Sequence, residues 1–469
     1  MRLHFIAIGG SAMHNLAITL HKKGYTISGS DDEIFEPSKS RLAKYGLLPE
    51  TQGWYPEKIH EGLDAIILGM HARVDNPELL KARELNLKIY SYPEFLYEQT
   101  KNKTRVVIGG SHGKTTITSM IMHVLKENHI KFDYMVGAQV EGFETMTDLT
   151  EESSLAVFEG DEYLSSPDDP RPKFHLYHPH IAVLSGIAWD HINVFPTFEI
   201  YVEQFREFAR RIEPGGKLFY YSGDPVIQEI ANEMNHITTE GYSEHPSVTE
   251  DQVTYLKSGS REIRLKVFGD HNLQNISAAK KVCTSLGISD DQFYAAIKSF
   301  SGAARRLELL SENSTSAVFR DFAHSPSKLL ATTRAVKQQY PGRKLVACME
   351  LHTFSSLKKE FLPHYKGCME DADLAFVYFN PHTVQHKKLE PITTEMVYNG
   401  FDKSGLTVTT DSDALFSELA SMDWGNANLL LMSSGTFDGK DLPEFSRKIT
   451  GDPVVFKRGD WIKNPQSGL

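Results

Sequence analysis

The sequence predicts an α/β protein of three consecutive α/β domains, and three observations point there. Short apolar runs alternate with helically spaced segments along the whole chain. One run ends in a glycine-rich turn that opens a helix. Two polar or small-residue stretches, Lys101-Asn102-Lys103-Thr104 and Ser301-Gly302-Ala303-Ala304, divide the alternation into three. The expected domains are therefore 1–101, 102–303 and 304–469, within the range that 469 residues allow.

In the first domain, strands are expected at 3–8, 25–28, 65–68 and 88–90. Between the first two, Met13, Leu16, Ala17 and Leu20 repeat at helical spacing. Strands joined through such a helix lie parallel. The first strand runs into Gly9-Gly10-Ser11-Ala12-Met13, and Ser30-Asp31 ends the second, about twenty residues on. That is a Rossmann-like arrangement, with Asp31 placed to bond a ribose. The full Gly-x-Gly-x-x-Gly is absent, so a tight turn into a helix is open as well.

The second domain begins with strands expected at 105–108, 155–158, 181–184 and 217–220. The first runs into Gly109-Gly110-Ser111-His112-Gly113-Lys114-Thr115-Thr116, and Ile117, Met120, Ile121, Val124 and Leu125 follow at helical spacing. Strand, glycine turn and helix make a phosphate cradle: N–H groups at the helix start face phosphate oxygens, aided by the helix dipole. Lys114 then reaches the outer phosphates and Thr115 the Mg²⁺ ion. The loop is one residue shorter than the common Walker pattern, because Gly109 stands four before Gly113 and position 108 is Ile.

Two further strand ends carry polar residues. Glu159-Gly160-Asp161-Glu162 follows Phe158, where an acid could hold Mg²⁺ or simply face solvent. Trp189-Asp190-His191-Ile192-Asn193 follows the third strand, and His191 alone reads equally as polar surface. Phe268-Gly269-Asp270-His271-Asn272-Leu273-Gln274-Asn275 opens an Ala-rich helix. Its amides suit an adenine edge, and Asn272 also suits a helix cap.

The third domain has strands expected at 317–319, 344–349, 374–378 and 429–432. Arg305-Arg306-Leu307-Glu308 precedes them, ordinarily a surface ion pair. Asp321-Phe322-Ala323-His324-Ser325-Pro326 follows the first of them.

Taken together, these motifs resemble the Mur ligase family, ATP-dependent enzymes that join amino acids or peptides to a UDP-muramoyl carboxylate. The resemblance spans nearly the whole chain. It implies a Rossmann-like N-terminal domain, a P-loop ATPase centre and a Rossmann-like C-terminal domain. It implies that Gly110, Ser111, His112, Gly113, Lys114, Thr115 and Thr116 bind ATP, with His271, Asn272 and Asn275 near adenine. Arg306 is implied at the phosphates, and Asp321 and His324 near the ATP ribose or phosphates. Ser325 replaces the family's second His there. Thr115, Glu159 and His191 are implied as the Mg²⁺ set, and Lys114, Glu159, His191 and Arg306 as the catalytic group. Gly9, Gly10, Ser11, Ala12, Met13, Ser30, Asp31 and His71 are implied to bind the UDP part of the substrate. The third domain is implied to bind the acceptor and close on ATP. Many family members carry a carbamylated lysine about where Arg206 stands here, and Arg cannot form that carbamate.

That departure selects the branches that join alanine or a tripeptide to UDP-N-acetylmuramate. Glu159 to Tyr163, Arg171 to Phe174, Tyr177 to Pro179, Trp189 to Phe195 and Leu431 to Gly439 look most like the tripeptide branch. Its acceptor is L-alanyl-γ-D-glutamyl-meso-diaminopimelate, from peptidoglycan recycling. Leu351-His352-Thr353-Phe354-Ser355-Ser356 looks more like the alanine branch. Yet Ser356 stands where that branch has an Arg for the amino acid's carboxylate. The tripeptide is the expected acceptor and L-alanine the alternative.

Composition excludes other classes. A formal charge of −11 argues against broad nucleic-acid binding. Three cysteines show no ligand spacing, which argues against a disulfide framework and a zinc site. No apolar run reaches membrane length, and Arg2 and His4 interrupt the N-terminus, so a cytoplasmic enzyme with no membrane partner is expected.

Overall fold

A computed structural model describes residues 1–189, 192 and 194–451. Three mainly parallel sheets follow one another along the chain. The first has four parallel strands in the order Thr26–Ser30, Arg2–Ile6, Ala65–Leu68 and Ile89–Ser91. The second runs Thr238–Tyr242, Lys217–Tyr221, Ile181–Leu184, Thr104–Gly109, Leu155–Glu159 and Asp133–Met135, all parallel, with Thr147–Asp148 antiparallel at its edge. The third runs Glu308–Glu312, Ala317–Asp321, Ala427–Met432, Lys344–Leu351, Leu374–Phe379 and Leu406–Thr409, only its first strand antiparallel.

The apolar runs form these strands because helices cover both faces of a parallel sheet. Every residue of Ala65–Leu68 and Ile181–Leu184 is buried. In the third sheet, alternate residues feed two cores. Phe319, Leu345, Met349, Val377 and Leu430 face one; Val318, Val346, Cys348, Phe376 and Leu429 face the other.

Where strands depart from expectation, the reason is local. The first strand stops at Ile6, not Ile8, because Ala7 turns to a φ of 66°. The N–H groups of Ala7 and Ile8 then both donate to Ser30 O. Unexpected strands are short, polar or at sheet edges: Leu164–Ser166 with Asp169–Pro172, and the antiparallel trio Ser247–Glu250, Val253–Ser258 and Arg261–Arg264.

The chain packs into two compact units. One takes in Met1–Trp189, Thr197–Glu244 and Gln274–Ser299; the other includes His245–Leu273 and the chain from Phe300 on. The first two sheets thus share a unit, and its junction is well bonded. Thr19 Oγ1 donates to Thr147 O, Met146 N–H donates to Asn15 Oδ1 at 3.0 Å, and Lys22 holds Glu144 at 2.7 Å. Lys22 and then Tyr45 pull the Glu144 carboxyl down to about 2. Buried Arg105 gathers the linker: its guanidinium donates to the carbonyls of Thr100, Lys101, Lys103, Tyr177 and His178.

Candidate active site

Ligands of open α/β sheets gather beyond the carboxyl ends of strands where the strand order reverses. In the central sheet that place is the end of Thr104–Gly109, flanked by Leu155–Glu159 and Ile181–Leu184. The register sets Ile108 beside Glu159 and Gly109 beside Leu184. Residues 110–113 form the turn there, and the helix Lys114–Glu127 starts directly after it.

The turn needs its glycines. Gly110 has φ 131°, and a Cβ on it would lie 2.2 Å from Ser185 Oγ. Gly113 caps the helix at φ 75°, and a Cβ on it would lie 2.4 Å from Asn275 Oδ1. So Asn275, expected near adenine, stands against the phosphate loop. Ser185 Oγ donates to Gly109 O at 3.2 Å and also to His112 O. Ser111 Oγ accepts from Ala188 N–H at 3.0 Å and pairs with Tyr201 OH at 2.9 Å.

Lys114 points back over the loop. Its Nζ donates to Gly110 O at 2.7 Å and to Glu162 Oε2 at 2.6 Å. Burial opposes the Lys114 charge, but Glu162, Asp161 and Glu159 outweigh it and hold its pKa above the ordinary value. Glu162 is itself buried, and its other oxygen accepts from Tyr201 OH at 3.2 Å. Thr115 and Thr116 are buried in the first helical turn. Thr115 Oγ1 donates to Glu159 Oε1 at 2.8 Å, and Gly137 N–H to Glu159 Oε2 at 2.6 Å. Lys114, Thr115 and Glu159 thus converge as expected, whereas His191, with Asp190 and Asn193, lies outside the described residues. Arg206 ion-pairs with Glu203, Glu229 and Glu233.

A hydroxyl and a carboxylate at a phosphate cradle are hard oxygen donors of the kind Mg²⁺ takes while keeping waters and phosphate oxygens. The cradle whose glycines admit no Cβ likewise suits close approach of a phosphate.

The first sheet repeats the plan. Its order reverses at Arg2–Ile6, and residues 7–10 follow that strand. Asp31 lies beyond one neighbouring strand and exposed His71 beyond the other. Asp31 is buried and accepts from Gly9 N–H at 2.7 Å. Burial pushes its carboxyl up to about 6. Ser30 is buried, and its carbonyl accepts from the N–H groups of Ala7 and Ile8 in the turn. Met13 is buried, Ser11 exposed, and Gly10 caps the helix Ser11–Lys22.

In the second unit, Asp321 is buried and organises its own loop. It accepts from the N–H groups of Leu307 and Ala323, and burial raises its pKa. The Arg306 guanidinium lies 4.7 Å from the Phe322 ring centroid. His324 Nδ1 bonds Phe322 O at 2.7 Å. His271 and Asn272 also belong to this unit. Burial pushes His271 down to about 4, and Asn272 Nδ2 donates to Phe268 O at 2.9 Å.

Sequence reasoning missed Glu162, Tyr201, Ser185 and Gly137. Glu162 sits three residues past Glu159 in the same acidic run, which is the one available signal. The others carry no motif.

Comparison with known proteins agrees with this geometry. The Mur ligase family catalytic domain matches residues 2–104 and the Mur ligase middle domain residues 108–283. UDP-N-acetylmuramate–L-alanine ligase of Caldicellulosiruptor bescii is 30% identical, covering 86% of this chain and 88% of its own. That of Lactiplantibacillus plantarum is 28% identical over 87% and 91%. Among solved structures, a murein peptide ligase from Psychrobacter arcticus matches with TM-score 0.67 at 21% identity, over 97% of this chain and 100% of that one. UDP-N-acetylmuramate–alanine ligase of Thermotoga maritima matches with TM-score 0.71 at 20% identity, over 96% and 98%. The fold, the phosphate cradle and these relatives converge: the chain belongs to the Mur ligase family and is an ATP-dependent ligase that forms carbon–nitrogen bonds.

Proposed function

We propose that this Mur ligase joins L-alanyl-γ-D-glutamyl-meso-diaminopimelate to UDP-N-acetylmuramate, as in peptidoglycan recycling. The observation that carries the reading is Ser356. It is wholly buried, its Oγ donating to Thr353 O at 3.1 Å and accepting from Thr353 Oγ1 at 3.0 Å. It offers no cation to a single amino acid's carboxylate, and such a carboxylate left buried and unpaired costs several kcal/mol. A tripeptide carries its carboxylates further from the reacting amine and needs no clamp there.

In this reading, residues 1–101 hold the UDP substrate through the 9–13 turn, Ser30, Asp31 and His71. Residues 102–303 hold ATP, and residues 304–469 hold the acceptor. The muramoyl carboxylate oxygen attacks the γ-phosphorus and ADP leaves. The peptide amine then attacks the acyl carbon, loses a proton, and phosphate departs. The loop N–H groups, Lys114 and Arg306 lower the barrier by stabilising charge on the transferring phosphoryl group. Thr115, Glu159 and His191 are proposed to hold Mg²⁺, which would neutralise phosphate charge when bound. Asn275 keeps the loop glycine in place.

A second reading, ligation of L-alanine, is favoured by the alanine-ligase names of the sequence relatives. A product assay separates the two. The purified enzyme receives UDP-N-acetylmuramate and ATP with either tripeptide or alanine, and phosphate release is followed. Faster turnover with the tripeptide is expected; faster turnover with alanine overturns the reading.

A further inference from the structure

Within the C-terminal unit, a cavity of about 330 Å³ opens beside the ends of Ala317–Asp321 and Ala427–Met432 and the start of Leu442–Thr450. Arg305, Arg320, Ser433, Thr436 and Lys440 line it, with Asp321 and Asp441. Both acids are committed to backbone. Asp321 accepts from Leu307 and Ala323 N–H, and Asp441 caps its helix by accepting from Glu444 N–H at 2.8 Å.

The cations are less fully matched. Arg320 Nη2 holds Glu308 at 2.8 Å, but its Nε is buried with no hydrogen-bond partner among the described residues. Lys440 Nζ pairs with the exposed Asp413 and lies 5.6 Å from the Phe416 ring centroid. Among the described residues, the guanidinium of the exposed Arg305 makes neither a salt bridge nor a hydrogen bond. A buried donor without an acceptor costs free energy unless a ligand supplies one.

We propose that this cavity is a carboxylate subsite for the peptide acceptor, with Arg305 as its principal ligand and Arg320 Nε, Thr436 and Lys440 as further donors. A guanidinium fork matches a carboxylate in two parallel hydrogen bonds. A carboxylate of the acceptor is favoured over a nucleotide phosphate because one wall, Leu431 to Gly439, is one of the segments that look most like the tripeptide branch. The subsite belongs to the peptide-ligase reading and rests on it.

The test is steady-state kinetics with the full-length enzyme and two perturbations of one contact. Arg305→Gln is expected to raise the tripeptide KM about tenfold or more, the loss of a charge-assisted pair, with the ATP KM unchanged. Arg305→Lys restores part of that loss, since it keeps the charge without the fork. Tripeptides amidated at one carboxylate at a time are then compared. One amide is expected to cost wild type about tenfold while costing Arg305→Gln almost nothing, because the same contact is already gone.

A wild type that uses the tripeptide, beside an Arg305→Gln variant with unchanged tripeptide KM, overturns the subsite and leaves the peptide reading standing. A wild type that turns over alanine and not the tripeptide overturns the peptide reading. In that case, a raised alanine KM in Arg305→Gln still supports a carboxylate subsite here, and an unchanged one overturns it.

Discussion

Replacing Glu162 by Gln tests how the phosphate loop is held ready. Lys114 and Glu162 meet at 2.6 Å with side chains 12% and 4% exposed, so neither charge is well solvated. Breaking a buried pair by removing one partner typically costs about 3–5 kcal/mol. Gln keeps hydrogen-bonding atoms for Lys114 and Tyr201, and Lys114 keeps Gly110 O, so a loss near the lower limit, about 3 kcal/mol, is expected. Thermal unfolding of the nucleotide-free enzyme should then shift down by a few degrees. ATP should reverse the shift, because a phosphate replaces the missing counter-charge.

The same bookkeeping applies to affinity. Wild type must separate Lys114 from Glu162 before the amine can serve a phosphate; the variant need not. Its ATP dissociation constant should fall, by at most on the order of 100-fold for a 3 kcal/mol pair. Unfolding curves with and without ATP, together with ATP titration by calorimetry, read both effects. An unchanged melting temperature with unchanged or weaker ATP binding refutes the idea that Glu162 is exchanged for a phosphate.

Three further outcomes follow from the geometry. Gly113→Ala places a Cβ 2.4 Å from Asn275 Oδ1 at a φ of 75°, so ATP binding measured by titration should weaken by about tenfold or more, at a strain of about 1–3 kcal/mol. Arg105→Met takes a donor from five carbonyls, of which Thr100 O keeps Lys103 N–H, and thermal unfolding should show a loss of at least about 3 kcal/mol, even if most of the other four find water. Asp31 has its carboxyl raised to about 6, so it is ionised above that pH and protonated below it. Because the raised value favours the neutral form in the fold, ionised Asp31 costs stability above pH 6, and that cost is relieved as pH falls from 6 into the ordinary carboxylate range. The ionised form is the better acceptor for a substrate hydroxyl. In the proposed function, where Asp31 holds the UDP substrate, the KM for that substrate should therefore rise as pH falls through 6, and this inflection should vanish in Asp31→Asn.

The strands that bear the site were legible because parallel sheets bury them on both faces. Ala65–Leu68 and Ile181–Leu184 read as unbroken apolar runs and have those bounds. Glu308–Glu312 and Arg261–Arg264 were not legible: their sequences, ELLSE and REIR, mix charge with apolar residues, as edge and exposed antiparallel strands do. In the site, Lys114, Thr115 and Glu159 announce themselves through spacing from glycine and strand. Tyr201 reaches Ser111 across 90 residues of chain, a contact with no local trace. Asp31 shows the limit of motif reading. Its place was evident, but its bond to Gly9 N–H, which shapes the turn, depends on burial that only the folded chain supplies.

The stitching of Thr19, Asn15 and Lys22 to residues 144–147 has a kinetic corollary. The glycine turn at 9–10 and the one at 110–113 ride on a single chassis, so in the proposed function the spacing between their two ligands is set before either arrives. Capture of the two should then be insensitive to order at that seam, and a linker cut between them should yield fragments that re-associate instead of drifting apart.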